Sequence, residues 1–156
     1  MLAFEQSQVP AFRAASMTDL SAIRKLEVVE FEHLAYPYFV LRQLFELHGS
    51  DWMVAEDNGE VCGYVLTAIG PEGSAWFLGF AVAGHCRGRG YGRALLETAL
   101  EHCRTSQVDQ VFVTVRPGNR AARHLYKEVG FVWTDHEHDY FGADEPRDVL
   151  VRKLYH

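Results

Sequence analysis

The sequence predicts a single α/β (α+β) domain spanning residues 1–156, in which about four helices flank a mixed central sheet of about seven strands. Strand-like and helix-like segments alternate along the chain, which is the pattern of that fold class. At 156 residues with 48% hydrophobic content, the chain fits one domain and can bury a sizeable core. A strand, a helix and a second strand follow one another in its middle, and such crossovers make parallel strand pairs.

The first half of the chain is predicted to hold one strand, two helices and a hairpin. Ser16 and Asp19 have the spacing of a capping box before a helix. The dipeptide Asn58-Gly59 predicts a hairpin turn, because both residues tolerate positive φ. The predicted segments are a strand at 11–14, a helix from the Ser16 cap to about Glu30, a helix at 39–47, and strands at 52–56 and 61–68.

The second half alternates between apolar strands and amphipathic helices. The strand at 75–83 is apolar nearly throughout, which predicts a central strand covered on both faces. From Tyr91 onward, apolar residues recur with helical spacing and polar residues fill the opposite side. Gly130 is placed to end a later helix. The remaining predicted elements are a strand at 111–115, a helix at 119–128, and strands at 131–136 and 148–154.

A glycine-rich turn joins the strand at 75–83 to the helix that begins at Tyr91. Its glycines have no Cβ, so a ligand can approach the backbone and several N–H groups can point at one anion. The partial positive charge of the helix N-terminus favours the same ligand. The turn therefore predicts a pyrophosphate site in a chain whose formal net charge is -6. Its glycines and arginines are Gly88, Gly90 and Gly92, and Arg87, Arg89 and Arg93.

Other nucleotide-binding turns fit these residues less well. A P-loop needs Gly-Lys-Ser/Thr, but Arg93-Ala94 stands there, so the lysine and the metal-binding hydroxyl are missing. A dinucleotide-binding turn needs G-x-G-x-x-G and an acidic residue after the next strand, whereas Arg116-Pro117 follows Val115. On the residues alone, an ordinary turn with solvated arginines stays open.

Two short motifs stand in the second half of the chain. After a strand, Arg87, Gly90 and Gly92 have the pattern Arg or Gln, two residues, Gly, one residue, and Gly or Ala. The second motif is Asn119, Ala122, Leu125-Tyr126 and Gly130-Phe131. Both motifs, at this spacing, resemble those of the GNAT superfamily of acetyl-CoA-dependent N-acetyltransferases. The order of the predicted elements is also that of the superfamily, so the resemblance covers nearly the whole chain.

The resemblance implies a coenzyme A site where the fourth and fifth strands splay apart. Phe80, Ala81 and Val82 would line the pantetheine arm, whose amides can satisfy backbone groups that splayed strands leave unpaired. Asn119 would contact the cofactor as well as cap its helix. Acetyl-CoA is the expected co-substrate, and no metal is expected. The backbone N–H groups expected to bind the pyrophosphate are those of Arg87, Gly88, Arg89, Gly90, Tyr91, Gly92 and Arg93.

Tyr126 is the catalytic residue that the resemblance implies. A phenol near the thioester sulfur could protonate the departing thiolate, and the N–H of Val82 could hold the oxyanion. On the residues alone, packing as a core aromatic is the favoured interpretation of Tyr126. The general base is left unassigned, because residues 76–82 contain no acid. Candidates in loops and late segments are Glu72, His136, Glu137, His138 and Asp139.

The acceptor is expected to bind between residues 30–38 and 135–145, where members of the superfamily bind theirs. Both segments combine acids with aromatics, a mixture that suits a cation with an apolar portion. The ending also resembles that of the ribosomal-protein N-terminal acetyltransferases, although an arginine expected before its aromatics is absent. A small cationic amine or a peptide or protein amine is predicted. The predicted substrate-binding residues are Glu30, Tyr36, Tyr38 and Tyr140.

Two functions stay open at this point: acetyl transfer to a primary amine by direct attack in a ternary complex, and non-catalytic binding or sensing of acyl-CoA. The 21 acidic against 15 basic residues argue against nucleic acid as the main partner. The sequence starts without the features of a signal peptide, and no apolar run approaches the roughly 20 residues of a membrane span. We therefore expect a cytoplasmic protein without membrane contact, as a monomer or homodimer.

Overall fold

The computed structural model describes residues 10–154, and its elements follow the predicted order. The start of the chain, on which the expectation about a signal peptide rests, lies outside the described residues. The strands are β1 (Ala11–Ala14), β2 (Met53–Asp57), β3 (Glu60–Ile69), β4 (Ser74–Val82), β5 (Gln110–Val115), β6 (Val132–Glu137) and β7 (Arg147–Lys153). The helices are α1 (Leu20–Phe31), α2 (Tyr38–His48), α3 (Tyr91–Thr105) and α4 (Arg120–Glu128).

The seven strands form one mixed sheet in the order β1-β2-β3-β4-β5-β7-β6. β4 and β5 are parallel, whereas the other neighbouring strands are antiparallel. The parallel pair is the predicted crossover, because α3 returns the chain along the sheet between the two strands. The predicted fold class is therefore confirmed.

β4 and β5 are paired over only part of their length. Their register runs from Ser74 opposite Gln110 to Phe77 opposite Val113 and ends there. Beyond that point β4 continues against β3 and β5 continues against β7. The two strands diverge, which confirms the predicted splay between the fourth and fifth strands.

Helices cover both faces of the sheet, as a central apolar strand requires. α3 and α4 pack on one face, where Phe77, Leu96 and Val113 belong to a single buried cluster. α1 and α2 pack on the other face, where Leu20, Leu41 and Tyr64 are fully buried. None of the helices in the described part of the chain is both long and apolar enough to cross a membrane.

Local sequence signals are confirmed with small shifts in boundaries. Asn58 and Gly59 make the turn between β2 and β3 with φ of 52° and 79°. The N–H of Ser16 donates to the carboxylate of Asp19 at 2.7 Å, but a short 3-10 turn comes first, so α1 begins only at Leu20. β6 begins one residue later than predicted, because the backbone turns at Gly130 (φ 95°) and buries the next side chain in the core before the strand starts.

Candidate active site

A cleft of about 670 Å³ opens where β4 and β5 diverge. Its lining comes from both helical layers, since residues of α1, α3 and α4 all contribute. The glycine-rich turn before α3 lies at one end, and Phe141 and Arg147, from the segment that leads into β7, also line it. The predicted cofactor residues that line the cleft are Phe80, Ala81, Val82, Arg87, Gly88, Gly90, Tyr91, Gly92, Arg93 and Asn119.

The glycine-rich turn presents its backbone to the cleft. Gly88 and Gly90 have φ of 78° and 79°, a left-handed conformation that side chains with a Cβ rarely adopt. No heavy atom lies within 4 Å of the position that a Cβ would take at either glycine. Within the described part of the chain, no backbone carbonyl accepts a hydrogen bond from the N–H groups of residues 88–93. Those amides, at the N-terminus of α3, therefore fit the pyrophosphate of coenzyme A.

The arginines of this turn are exposed and already have acidic neighbours. Arg87 pairs with Glu30 of α1, and its Nε also donates to the carbonyl of Val82 at 3.2 Å. Arg93 pairs with Glu97 one helical turn later, at 3.1 Å. Arg89 lies 3.6 Å from Asp57 and, unlike the other predicted cofactor residues, does not line the cleft. The structure thus presents amides rather than free guanidinium groups at this end.

A β-bulge in β4 brings the backbone close to a carboxylate. The register between β3 and β4 shifts so that Leu78 and Gly79 together face Leu66. A Cβ on Gly79 would stand 3.1 Å from Oε1 of Glu27, so a glycine is what leaves room for this carboxylate. The acid that β4 itself lacks is therefore supplied by α1, beside the strand and inside the cleft.

Glu27 is buried, with 1% of its surface exposed, and two protein groups donate to it. The hydroxyl of Tyr64 donates to Oε1, and the backbone N–H of Tyr36 donates to Oε2 at 3.0 Å. Burial raises the pKa of Glu27, while these two hydrogen bonds act in the opposite direction. A carboxylate with a raised pKa in a cleft is suited to accept a proton. By contrast, none of the five bases considered from the sequence lines the cleft.

Tyr126 lies on α4 and approaches the cleft from the opposite helical layer. It is 5% exposed, and its ring packs against Phe80 at 6.0 Å and Phe131 at 5.6 Å between centroids. Tyr126 is thus a core aromatic that also lines the cleft, so its position is compatible with both interpretations from the sequence, core packing and catalysis. Burial raises its pKa, so the phenol stays protonated at neutral pH. Its hydroxyl makes no hydrogen bond to any described residue, and it is therefore available as a donor.

The predicted acceptor residues divide into two groups. Glu30 and Tyr36 line the cleft, and the hydroxyl of Tyr36 donates to the carbonyl of Leu78 at 3.1 Å. Burial raises the pKa of Tyr36 to about 12. Tyr38 is 45% exposed at the start of α2 and does not line the cleft. Tyr140 also stays outside the lining, with its ring edge-on to Phe141 at 4.9 Å.

Asn119 caps α4, as the sequence predicts. Its side-chain oxygen accepts from the N–H of Ala122 at 3.1 Å, and the residue also lines the cleft. Capping α4 does not remove Asn119 from the cleft, so its predicted contact with the cofactor is compatible with the structure and stays a prediction.

One cluster outside the cleft has the composition of a metal site. His138, Asp139 and Asp144 are all exposed, and their ligand atoms lie within 4.8 Å of one another. Exposed acidic groups of this kind are common without an ion, and nothing else at this loop points to one.

The fold and the cleft together define a class of protein: an α/β domain with a cleft between two diverging strands and a glycine-rich turn at the N-terminus of α3 that suits a pyrophosphate. The sequence profile of the acetyltransferase (GNAT) family matches residues 16–131, and the chain belongs to that family. It is therefore an acetyl-CoA-dependent N-acetyltransferase, as the motifs predicted.

Individual relatives agree with this assignment. The chain is 30% identical over 120 residues to an uncharacterized N-acetyltransferase of Methanocaldococcus jannaschii, with 76% of each chain covered. It is 28% identical over 131 residues to an N-alpha-acetyltransferase of Sulfurisphaera tokodaii, covering 76% of this chain and 78% of the relative. The crystal structure of Ard1 from Thermoplasma volcanium shares the fold, with a TM-score of 0.86 at 24% identity over 94% of this chain and 99% of that one.

Proposed function

We propose that the protein transfers an acetyl group from acetyl-CoA directly to a primary amine, with both substrates bound at once. In this mechanism Glu27 is the general base and Tyr126 the general acid. The observation that carries the proposal is that both residues line one cleft at the place where β4 leaves β5.

The first requirement is a neutral amine. An α-amino group has a pKa of about 8 and a lysine amine about 10.4, so the acceptor must lose a proton before it attacks. Glu27 can accept that proton directly or through one water. Burial favours the protonated form of this carboxyl group, which makes the transfer to Glu27 easier than to an exposed carboxylate.

The second requirement is a good leaving group. A C–N bond forms at the thioester carbonyl while the C–S bond breaks, and negative charge passes from the carbonyl oxygen to the sulfur. As the amide forms, its nitrogen loses a second proton to solvent water, and solvent returns a proton to Tyr126 after the thiol has formed. The hydroxyl of Tyr126 can donate its proton to that sulfur, because it is protonated at neutral pH and has no competing acceptor among the described residues. The carbonyl oxygen would be held by the N–H of Val82, at the end of β4.

The acceptor is proposed to be a small amine or the amine of a peptide. The carboxylate of Glu27 in the cleft favours a protonated amine as the incoming group. The similarity to an N-alpha-acetyltransferase supports a peptide N-terminus. Non-catalytic binding of acyl-CoA was left open by the sequence because β4 has no carboxylate. No observation favours it now, because Glu27 of α1 supplies a carboxylate beside that strand.

An amine panel tests the proposal. Free thiol released from acetyl-CoA is measured with polyamines, aminoglycosides, arylalkylamines and short peptides, and at least one acceptor should accelerate the release. Tyr126→Phe should slow that reaction by about 100-fold or more while leaving CoA affinity unchanged by calorimetry. Tight CoA binding without turnover on any amine would instead support the non-catalytic alternative, and full activity in Tyr126→Phe would remove the role of this phenol.

A further inference from the structure

Two arginines stand side by side at the edge of the cleft. β5 ends at Val115, which is paired with Asp148 of β7. Arg116 directly follows Val115 and Arg147 directly precedes Asp148, and both arginines line the cleft. Leu150 of β7 belongs to the core under α3 and α4, so Arg147, three residues earlier on the same strand, lies on the face covered by α1 and α2. That is also the face from which Glu27 enters the cleft.

Arg147 is buried but not fully used by the protein. It is 6% exposed, and its guanidinium carbon lies 4.8 Å from the centre of the Phe141 ring. Among residues 10–154, only Nη1 has hydrogen-bond partners: the carbonyl of Pro146 at 2.7 Å and the carboxylate of Glu145 at 3.5 Å. Nε and Nη2 have no hydrogen-bond partner among the described residues, and neither is sealed off in the core, since the residue lines the cleft.

The positive charge of this pair is poorly compensated. Arg116 makes no ion pair with any described residue, and Glu137, which faces Arg147 from β6, lies too far away for one. Glu145 is the acid within reach, and its other oxygen lies 3.5 Å from Nε2 of His33. Burial lowers the pKa of Arg147, and the charge of Arg116 lowers it further. Two neighbouring guanidinium groups, one of them buried, favour an anion between them.

We propose that Arg147, assisted by Arg116, binds a carboxylate carried by the acceptor, so that the acceptor is a zwitterion with its amine at Glu27 and its carboxylate at Arg147. The proposal rests on the proposed function, and it adds the class of acceptor. The planar guanidinium is already oriented by stacking on Phe141, and its free Nε and Nη2 form the edge that receives two carboxylate oxygens. The carboxylate can be that of a free amino acid or that of an acidic side chain in a peptide.

The experiment uses pairs of acceptors that differ only in this charge. One arm compares diamino acids of increasing length with their carboxamides, and the other compares short peptides that carry Glu or Gln at the second or third position. For the wild type, kcat/KM should be about 10- to 100-fold higher for the carboxylate member of one arm. The arm that shows the preference identifies the source of the carboxylate.

Variants of the two arginines test whether they cause the preference for the carboxylate. Arg147→Met and Arg116→Gln should reduce the carboxylate preference toward one, while kcat/KM for the carboxamide stays within about threefold of wild type. Arg147→Lys should retain part of the preference, because lysine keeps the positive charge but lacks the paired N–H donors of the planar guanidinium. Lys153→Met removes one charge from the exposed far end of the same strand and should leave the preference intact. The KM for acetyl-CoA should be the same in all four.

Three results would overturn the proposal: no charge preference in the wild type, an equal loss for both members of a pair in Arg147→Met, or a raised KM for acetyl-CoA, which would assign the arginines to the cofactor. The same pairs are also titrated by calorimetry into protein saturated with CoA, after each variant is checked for an unchanged Tm. A carboxylate-dependent affinity that Arg147→Met abolishes would uphold the site even if no acceptor turned over, and that outcome would count against the proposed function alone.

Discussion

The two ends of the cleft are built from different parts of the polypeptide. At one end, residues 88–93 offer main-chain N–H groups, held by two left-handed glycines in an exposed turn. At the other end, Glu27 and Arg147 offer side-chain charges, each buried and oriented by neighbours. We therefore expect the first end to depend on backbone conformation and to tolerate the loss of a charged side chain. We expect the second end to depend on charge and protonation, so a substitution that keeps the shape of a side chain but removes its charge should abolish the function of that end.

The largest expected effect is at the side-chain end. Glu27→Gln keeps the shape of the side chain but cannot accept a proton, so kcat should fall about 100- to 1,000-fold. Steady-state kinetics with the best acceptor measures this loss, and calorimetry should find the affinity for CoA unchanged. Glu46→Gln, the same exchange at an exposed position of α2, is the matched control. A loss of less than tenfold in Glu27→Gln would show that another group takes the proton.

A backbone change should break the other end. At Gly90, φ is 79°, and a β-branched residue there costs about 1–3 kcal/mol. Gly90→Val should therefore raise the Kd of CoA about 5- to 150-fold while the KM of the acceptor stays the same. Gly84→Ala is the control, because Gly84 lies in the same loop with open space around it and without positive φ. Equal affinities in the two variants would contradict a site made by backbone conformation.

A smaller effect, confined to low pH, is expected from the support of Glu27. The hydroxyl of Tyr64 donates to the carboxylate and so holds its pKa down against burial. Tyr64→Phe removes this donor, the pKa of Glu27 rises further, and the acidic limb of kcat/KM should move to higher pH. Above the limb the rate should be unchanged. A pH profile with an acceptor of low amine pKa measures the shift.

Tyr36→Phe is the comparison for that profile, since Glu27 receives the backbone N–H of Tyr36 and not its hydroxyl. Its acidic limb should stay where the wild type has it. A limb that moves to lower pH in Tyr64→Phe would exclude Glu27 as the titrating base.

The smallest effect is expected for a charge at the main-chain end. Arg87 is 56% exposed at its side chain and already paired with Glu30, so its net contribution to an anion is about 0–1 kcal/mol. Arg87→Ala should weaken CoA binding less than about fivefold, and the difference should fade at high salt. Calorimetry at two ionic strengths checks both statements. A loss beyond tenfold would mean that the side chain, and not the amides, dominates at this end.

The main-chain end could be predicted from the sequence because its signals are local. Glycines that permit positive φ, a strand before them and a helix after them are contiguous, and the structure has each of them in place. The hairpin turn at Asn58 and the cap at Asn119 were predicted for the same reason. These residues act through their own backbone, so no tertiary information is needed.

The residues of the side-chain end could be identified only in the folded structure. Glu27 was missed, although Leu20, Ile23 and Glu27 share one face of α1 and all are buried. A lone acid in an apolar helical stripe was the signal that could have found it. Arg147 had no such signal, because its position depends on β7 pairing with β5, a strand that lies more than thirty residues earlier. Tyr38, also predicted for the acceptor site, is exposed at the start of α2 and outside the cleft lining, and its contact with an acceptor stays a prediction.

The divergence of β4 and β5 makes an opening through the sheet itself. Glu27 reaches this opening from the layer of α1, and Tyr126 reaches it from the layer of α4. In the proposed mechanism, the amine therefore loses its proton on one face of the sheet, and the sulfur receives a proton from the other. Substitutions in the α1 layer should then change the choice of amine without changing the group that protonates the sulfur.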